Sequence, residues 1–285
     1  MKKISIAVLS LLVVGVGQSA AASKIQLDSE TKRRCVKVLT EGLNSDEFWP
    51  AMHAAEGLTL AGKGAQVRIA LAKKLPSEKD DQKRCGLARE LSRAGDAGKS
   101  LVMMEILEKE DDHGHVHAAE SLYKVGWKGS DAPLRKSFKQ KKNIRLRLMA
   151  AAALGKNGHA GALKFLRSHV AKEKDPKLFF LSAWVLGRIG EESDSELIRR
   201  RLPDAPDAWT QAFLEHALAS LGDEAGKKAL MRNLKSDDGR IRTYAAVFAG
   251  EIGLLESKAL LVKQLDDENL DARIRAAQSL LVLSR

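Results

Sequence analysis

The stretch HGHVHAAESLYKVG, residues 113–126, places three histidines and a glutamate within eight positions. Such a cluster is compatible with a metal or acid–base site, but similar residues occur earlier as MHAAEGLTLAG at 52–62. Self-similarity at a fixed period is the sequence signature of repeat architectures. The recurrence raises the question of whether these residues form a site or one copy of a structural repeat.

A period of 31–33 residues runs through the chain. It becomes visible when the copies are aligned on a small closing residue, namely Gly62, Gly95, Gly126, Gly158, Gly190, Gly222, Gly253 and Ser284. Seven positions before it stands alanine in every copy except one, which has Glu215. Four positions before it stands leucine in every copy except one, which has Ala249. Because spacings of three and four return to the same side of a helix, these positions predict one apolar helical face.

A second apolar, helically periodic stretch precedes each of these helices, for example SLVMMEIL and ALKFLRSHV. Aspartate pairs at 80–81, 111–112, 237–238 and 266–267 stand where the second helix should begin, as expected for carboxylates that cap free N–H groups. A single hairpin cannot bury both of its faces, so hairpins of this kind stack. The pattern therefore predicts an all-α fold, an α-solenoid of about eight helical hairpins over residues 23–285.

Two copies, DDHGHVHAAESLYKVG and DDENLDARIRAAQSLLVLS, carry a family resemblance. They resemble the short HEAT repeat of the phycobilisome-lyase (PBS lyase HEAT-like, EZ-HEAT) type, and the resemblance covers about 29–285. It implies a superhelix whose second helices line the concave surface. Bilin lyases, di-iron hydroxylases and many scaffolds share this architecture, so the fold alone does not choose a function. The His-Glu neighbours of the hydroxylases are missing here, because the corresponding stretches read HAAE.

The N-terminus indicates the compartment. Lys2 and Lys3 precede an apolar run at 4–16, and the small residues of QSAAAS follow it. This pattern predicts a cleaved signal peptide at residues 1–22. We therefore expect 23–285 to be an exported bacterial protein, periplasmic or secreted, and no later stretch is long and apolar enough to span a membrane.

Cys35 and Cys85 are the two cysteines of the chain. An oxidising compartment would permit a disulfide between them, and they fall in adjacent repeats. Two buried free thiols are the favoured alternative.

The histidines have two interpretations. Positions nine, six and two before the closing residue fall opposite the apolar face. His117 and Glu120 stand at the first two of these positions in the third repeat, and His113 lies on the same side of the helix. Their spacing would allow a zinc or iron site, which would make the protein a metal-dependent enzyme. The favoured alternative is a solvated face on which Glu56, Arg89 and Glu120 form a ladder of alternating charges. No GxSxG, HExxH or CxxC motif occurs, so neither catalysis nor a cofactor is expected.

The span from Ala132 to Lys172 contains eleven lysines and arginines and no acidic residue, within a chain of formal net charge +11. Such a concentration of charge attracts polyanions and steers their approach. The candidates for these contacts are Lys141, Lys142, Arg145 and Arg147. Export argues against nucleic acid as the partner and favours an anionic glycan, another polyanion or an acidic protein. The alternative is a basic surface that is merely solvated.

Apolar and aromatic residues replace charges at the concave positions of the later repeats. They are Met149, Leu181, Trp184, Phe213, His216, Tyr244 and Val247. A contiguous exposed stripe of this kind usually marks a binding groove, although tight curvature would bury it as ordinary packing. The expected function is an exported, non-catalytic scaffold that binds a protein or an anionic polymer along its concave face.

Overall fold

The structure is a computed structural model that describes residues 24–285. The signal peptide predicted at 1–22 lies outside the described residues. Residues 24–285 contain sixteen α-helices and no β-strand, which confirms the all-α prediction. Within the same residues, no helix has the length and apolar character needed to cross a membrane.

The helices pair into eight hairpins. The first helices are α1 (Ser29–Leu43), α3 (Gly64–Leu71), α5 (Ser100–Glu108), α7 (Ala132–Lys139), α9 (Ala160–Lys172), α11 (Asp194–Arg199), α13 (Glu224–Asn233) and α15 (Lys258–Gln264). The second helices are α2 (Phe48–Leu60), α4 (Asp81–Arg93), α6 (His115–Val125), α8 (Ile144–Lys156), α10 (Pro176–Ile189), α12 (Ala208–Ser220), α14 (Gly239–Glu251) and α16 (Leu270–Leu283). The eight-hairpin α-solenoid predicted from the period is confirmed.

The second helices end at the closing residues of the repeat. Gly126, for example, follows α6 in the left-handed conformation with φ 66°, where a side chain would be strained. Two closing residues differ: Gly190 follows α10 with an extended backbone at φ −84°, and Ser284 follows α16 at φ −91°. The closing residue is thus a helix-terminating signal in most copies.

The aspartate pairs cap only half of the helices for which caps were predicted. Asp80 accepts hydrogen bonds from the first-turn amides of α4, and Asp238 does the same for α14. The prediction is wrong for the other two pairs: α16 is capped by Asn269, and α6 begins after Gly114 without a side-chain cap. In both cases the loop between the aspartates and the helix is longer, so the carboxylates stand too far upstream.

The predicted apolar face forms the core of the solenoid. Its alanines are completely buried, at 0% exposure: Ala55, Ala88, Ala119, Ala151, Ala183, Ala246 and Ala277. Glu215, which replaces alanine in the sixth hairpin, is also buried, and it accepts hydrogen bonds from Gln211, Arg232 and Asn233. Because these donors satisfy the carboxylate, the solenoid tolerates a charged residue at a core position.

The last hairpin packs against the first, so the solenoid closes into a ring. Helix α16 contacts α14 on one side and both α1 and α2 on the other. The amide of Ile25 donates to the carbonyl oxygen of Leu283 at 2.9 Å. Gly42 in α1 permits close approach, because a Cβ added there would lie 2.7 Å from Cδ1 of Ile274 in α16. The repeat pattern does not predict this closure, since it specifies each junction but not the curvature summed over eight.

Cys35 and Cys85 are buried free thiols, as favoured from the sequence. Burial raises the pKa of each thiol to about 12. They are therefore protonated and unreactive at neutral pH.

Candidate functional site: two adjoining cavities inside the ring

The second helices surround a cavity of about 210 Å³, called here the polar cavity. Its charged lining residues are Glu56, Arg93, Glu120, Lys124, Lys156, Arg188, Glu251, Asp271 and Arg275. Its remaining lining residues are His53, Tyr123, Trp184, Thr243, Tyr244 and Val247. Most of them stand nine, six or two positions before a closing residue. In most repeats, therefore, these three positions face the inside of the solenoid.

Glu56 and Glu120 are held as carboxylates by cations. Glu56 lies 2.9 Å from Arg93 and 2.8 Å from Arg275. Burial opposes its ionisation, but the two guanidinium groups outweigh burial and hold the pKa of Glu56 well below its ordinary value. Glu120 lies 2.6 Å from Lys124, and this ammonium outweighs burial to lower the pKa of Glu120 to about 2. Both side chains are thus negatively charged at neutral pH.

The expected charge ladder of Glu56, Arg89 and Glu120 is wrong. Arg89 is buried and pairs with Glu90 of its own helix, while Nη1 reaches the Ser121 hydroxyl at 3.5 Å. Arg93, one turn further along α4, takes the place next to Glu56. The ideal helical wheel placed Arg89 on the exposed side, but it packs between α4 and α6.

His53 and Asp271 connect the first and last hairpins at the edge of the polar cavity. Nδ1 of His53 lies 2.7 Å from Oδ1 of Asp271. Burial, reinforced by the Arg275 charge, lowers the pKa of His53 despite the neighbouring carboxylate. The imidazole is therefore neutral at neutral pH, and it contributes no net charge to the cavity.

A second space of about 320 Å³, called here the apolar cavity, adjoins the first. Its apolar lining residues are Val116, Met149, Phe180, Leu181, Trp184, Trp209, Phe213 and Tyr244. Its polar lining residues are His117, Glu120, Arg145 and Lys177. Glu120, Trp184 and Tyr244 line both cavities and form the wall between them. The volume lies at the lower end of the range of about 300–1,000 Å³ typical of small-molecule sites.

The exposed apolar groove predicted from the later repeats is wrong. Met149, Trp184 and Phe213 are only 2%, 8% and 5% exposed. The ring of Phe213 packs against Trp209 and Tyr244, with centroids 4.8 Å away in each case. Closure of the ring crowds the inner face, so these side chains pack against one another. What remains open between them is the apolar cavity, which Met149, Trp184, Phe213 and Tyr244 line together with Arg145.

His216 is completely buried and lines neither cavity. Its ring centroid lies 5.0 Å from that of Phe248, and Nε2 is 3.2 Å from Nδ2 of Asn233. Burial lowers the pKa of His216 to about 3, which keeps the imidazole neutral. The predicted binding role is replaced by a structural one.

The predicted basic residues divide into two groups. Lys141, Lys142 and Arg145 are exposed. Arg147 is partly buried, with its Nε donating to the carbonyl oxygen of Phe138 at 3.0 Å and its guanidinium carbon 4.3 Å from the Phe165 ring centroid. Arg147 therefore joins α7, α8 and α9 and is not available to a partner.

Lys177 and Trp209 also line the apolar cavity, although the sequence pattern did not single them out. Each stands thirteen positions before a closing residue, as does Asp271 of the polar cavity. Thirteen lies one helical turn beyond nine, so extending the inner column by four residues would have found all three.

The three predicted metal ligands are not brought together. His113 is exposed, with Nε2 3.6 Å from Asp80, while the ring of His117 stacks on Trp49 at 5.4 Å. Glu120 is bound to Lys124. Among residues 24–285, no group of three or more His, Cys, Asp or Glu side chains is arranged to hold a metal ion.

The eight stacked hairpins with inward-facing second helices make the chain an α-solenoid. Residues 131–219 match the family model described as HEAT repeats. A comparison of the sequence with curated proteins gives no significant match.

Three solved structures are similar at low identity. Human deoxyhypusine hydroxylase in complex with glycerol is 16% identical, with a TM-score of 0.42. The match covers 89% of this chain and 97% of the hydroxylase chain. The complex of CpcE and CpcF of phycocyanin lyase from Nostoc sp. PCC7120 is 17% identical, with a TM-score of 0.44 and coverage of 93% and 99%. An engineered protein is 16% identical, with a TM-score of 0.28 and coverage of 90% and 97%.

Proposed function

We propose that this chain is an exported, non-catalytic binding protein, and that its partner is a protein that docks at the mouth of the apolar cavity. The observation that carries the proposal is the juxtaposition of an apolar cavity with Arg145 and Lys177 on its rim. Lys141 and Lys142 extend this basic surface along the loop before α8, within the stretch that lacks acidic residues.

The rim charges are available to a partner. The ion pairs found within residues 24–285 involve neither Arg145 nor Lys177, and both side chains are exposed. An acidic segment that carries a large apolar side chain would satisfy both parts of the site. Its carboxylates would meet the rim, while the apolar side chain would enter the cavity, where a buried anchor commonly contributes 2 kcal/mol or more to binding.

The state of the titratable groups supports binding over catalysis. The cavity carboxylates Glu56 and Glu120 have lowered pKa values and are bound to cations, so neither is suited to act as a general acid or base near neutral pH. The thiols of Cys35 and Cys85 are buried and protonated, which makes them poor nucleophiles.

A pull-down from the exported fraction tests the docking site. The double variant Arg145→Glu/Lys177→Glu should lose the captured protein, because it reverses both rim charges. Its matched control is Lys73→Glu/Lys74→Glu, which reverses two exposed charges in the loop after α3. Equal capture by the wild type and both variants would contradict the proposal. Capture of an anionic polysaccharide in place of a protein would contradict the choice of partner.

Export has a separate test. Mass spectrometry of the protein from the exported fraction should find a mature N-terminus at Ser23. A chain that retains residues 1–22 in the cytoplasm would contradict export and leave the docking site unaffected.

A further inference from the structure

The polar cavity carries one uncompensated positive charge. Five cationic side chains line it, namely Arg93, Lys124, Lys156, Arg188 and Arg275, against four carboxylates, Glu56, Glu120, Glu251 and Asp271. Behind the wall, Glu90 pairs with both Arg93 and Arg89, so Arg89 and Glu90 together leave this balance unchanged. His53 is neutral and does not change this balance. The cavity is therefore complementary to a ligand with a single negative charge.

The four carboxylates already have partners. Glu56 binds Arg93 and Arg275, Glu120 binds Lys124, and Asp271 lies against His53. Glu251 binds Arg188 at 2.7 Å. A ligand ammonium would have to break one of these pairs in order to bind, which disfavours amines and amino acids.

Lys156 is the lining cation without a carboxylate within 4.0 Å in the described part of the chain. Its Nζ donates to the carbonyl oxygen of Tyr123 at 3.1 Å and lies 5.1 Å from the centre of that tyrosine ring. Partial burial and the nearby positive charges of Arg93, Lys128 and Arg188 lower its pKa. An anion beside Lys156 would relieve this repulsion.

Aromatic rings supply the rest of the wall. Tyr123, Tyr244 and Trp184 line the cavity, and the guanidinium carbon of Arg188 lies 4.6 Å from the Trp184 ring centroid. Since a water molecule occupies about 30 Å³ of liquid, a cavity of this volume has room for a molecule with one ring.

We propose that the polar cavity is a binding site for a small monocarboxylate with an aromatic body, held by Lys156 and enclosed by Tyr123 and Trp184. The carboxylate supplies the missing negative charge and accepts hydrogen bonds, and the ring packs on the aromatic wall. This site shares a wall with the protein-docking site, but the rim residues Arg145 and Lys177 do not line the polar cavity, so the two sites can be tested separately.

Isothermal titration calorimetry of the full mature chain with three probes tests the charge requirement. Benzoate should bind. Benzamide, which has nearly the same shape without the charge, should bind at least tenfold more weakly, because a hydrogen bond to a charged group is about twice as strong as a neutral one. Benzylamine should not bind, because the cavity already has an excess cation. Absence of benzoate binding, or equal affinity for benzoate and benzamide, would overturn the proposal.

Lys156 and Lys128, which is near enough to lower the pKa of Lys156, provide matched variants. Lys156→Met should weaken benzoate binding at least tenfold, and Lys156→Arg, which keeps the charge, should retain most of it. Lys128→Met is the control, because Lys128 is exposed, contacts Asn157 and does not line the cavity. It should change the affinity by no more than about twofold.

Thermal unfolding of each variant separates loss of binding from loss of folding. Unchanged benzoate affinity in a folded Lys156→Met protein would overturn the assignment of Lys156. The Arg145→Glu/Lys177→Glu protein should still bind benzoate, so the docking proposal and this one can fail independently.

Discussion

Glu56 in α2 and Arg275 in α16 form an ion pair of 2.8 Å, although 219 positions separate them in the chain. Glu56 also binds Arg93 of α4, so one carboxylate joins the second hairpin and the last hairpin to the first. The pair lies on the wall of the polar cavity. The ion pair that helps to close the ring therefore also forms part of the wall of the polar cavity.

Breaking this pair should destabilise the protein. Arg275→Met leaves Glu56 with Arg93 as its remaining guanidinium partner, and we expect a loss of about 2 kcal/mol or more in the free energy of unfolding. Arg200→Met removes an exposed arginine whose ion-pair partner among the described residues is Glu196 of the same turn, and it should change the value by less than about 1 kcal/mol. Urea unfolding followed by circular dichroism measures both. Equal effects of the two variants would show that closure does not depend on the buried pair.

The alanine face predicts a cost for added volume. Ala151 in α8 is completely buried, so Ala151→Leu should overpack the junction between hairpins and cost typically about 1–3 kcal/mol. Ala171→Leu, on the exposed side of α9, is the control and should be nearly neutral. Urea unfolding compares the two variants. An unchanged unfolding midpoint for Ala151→Leu would contradict the assignment of Ala151 to the core.

His216 predicts a pH dependence of stability. Because its pKa is about 3 in the folded protein and about 6.5 when unfolded, the unfolded chain binds more protons between these values. Its contribution is thus present above pH 6.5 and is lost as the pH falls toward 3, by up to about 1.4 kcal/mol per pH unit. His216→Phe should flatten this part of the pH profile of unfolding free energy. A profile as steep as that of the wild type would show that other groups, such as His53, account for the dependence.

Arg147 predicts a difference between two basic residues that are close in sequence. Arg147→Lys loses the planar group stacked on Phe165 and the aligned bond to Phe138, so we expect a loss of about 1 kcal/mol in stability. Arg145→Lys changes an exposed side chain and should have no measurable effect on stability. Thermal unfolding of both variants distinguishes the two roles. An Arg147→Lys protein as stable as the wild type would show that Arg147 belongs to the exposed basic surface.

The repeat made the hairpins and their inner columns predictable. Ala151 and its equivalents are buried because a period near 32 residues fixes which side of each second helix faces its neighbours. The closure between α1, α2 and α16 was not predictable in this way. It depends on the angle at each junction, which is set by side-chain volumes at close approaches such as Gly42 against Ile274.

The site was predictable in position but not in exposure. Trp184 and Tyr244 line cavities where the helical columns placed them, yet they are not exposed in an open groove. Rings from other hairpins cover them: Tyr123 packs against Trp184, and Phe213 packs against Tyr244. A pattern of single helices contains no information about such neighbours. His216 shows the same limit, because its burial depends on Phe248 and Asn233 of the next hairpin.

The most direct test of ring closure is a distance between the first and last hairpins, measured by double electron–electron resonance. Spin labels replace the exposed Lys37 of α1 and Lys263 of α15, and the control pair is Lys136 of α7 and Lys164 of α9 in adjacent hairpins. The native thiols of Cys35 and Cys85 are buried, with pKa values raised to about 12, and should not react with the label. In a closed ring the last hairpin lies beside the first as consecutive hairpins do, because α16 packs against α1 and α2, so closure predicts overlapping distance distributions for the two pairs. A distance between Lys37 and Lys263 that is tens of ångströms longer than the control would contradict closure and, with it, the polar cavity, which Glu56 of the first hairpin and Arg275 of the last line together.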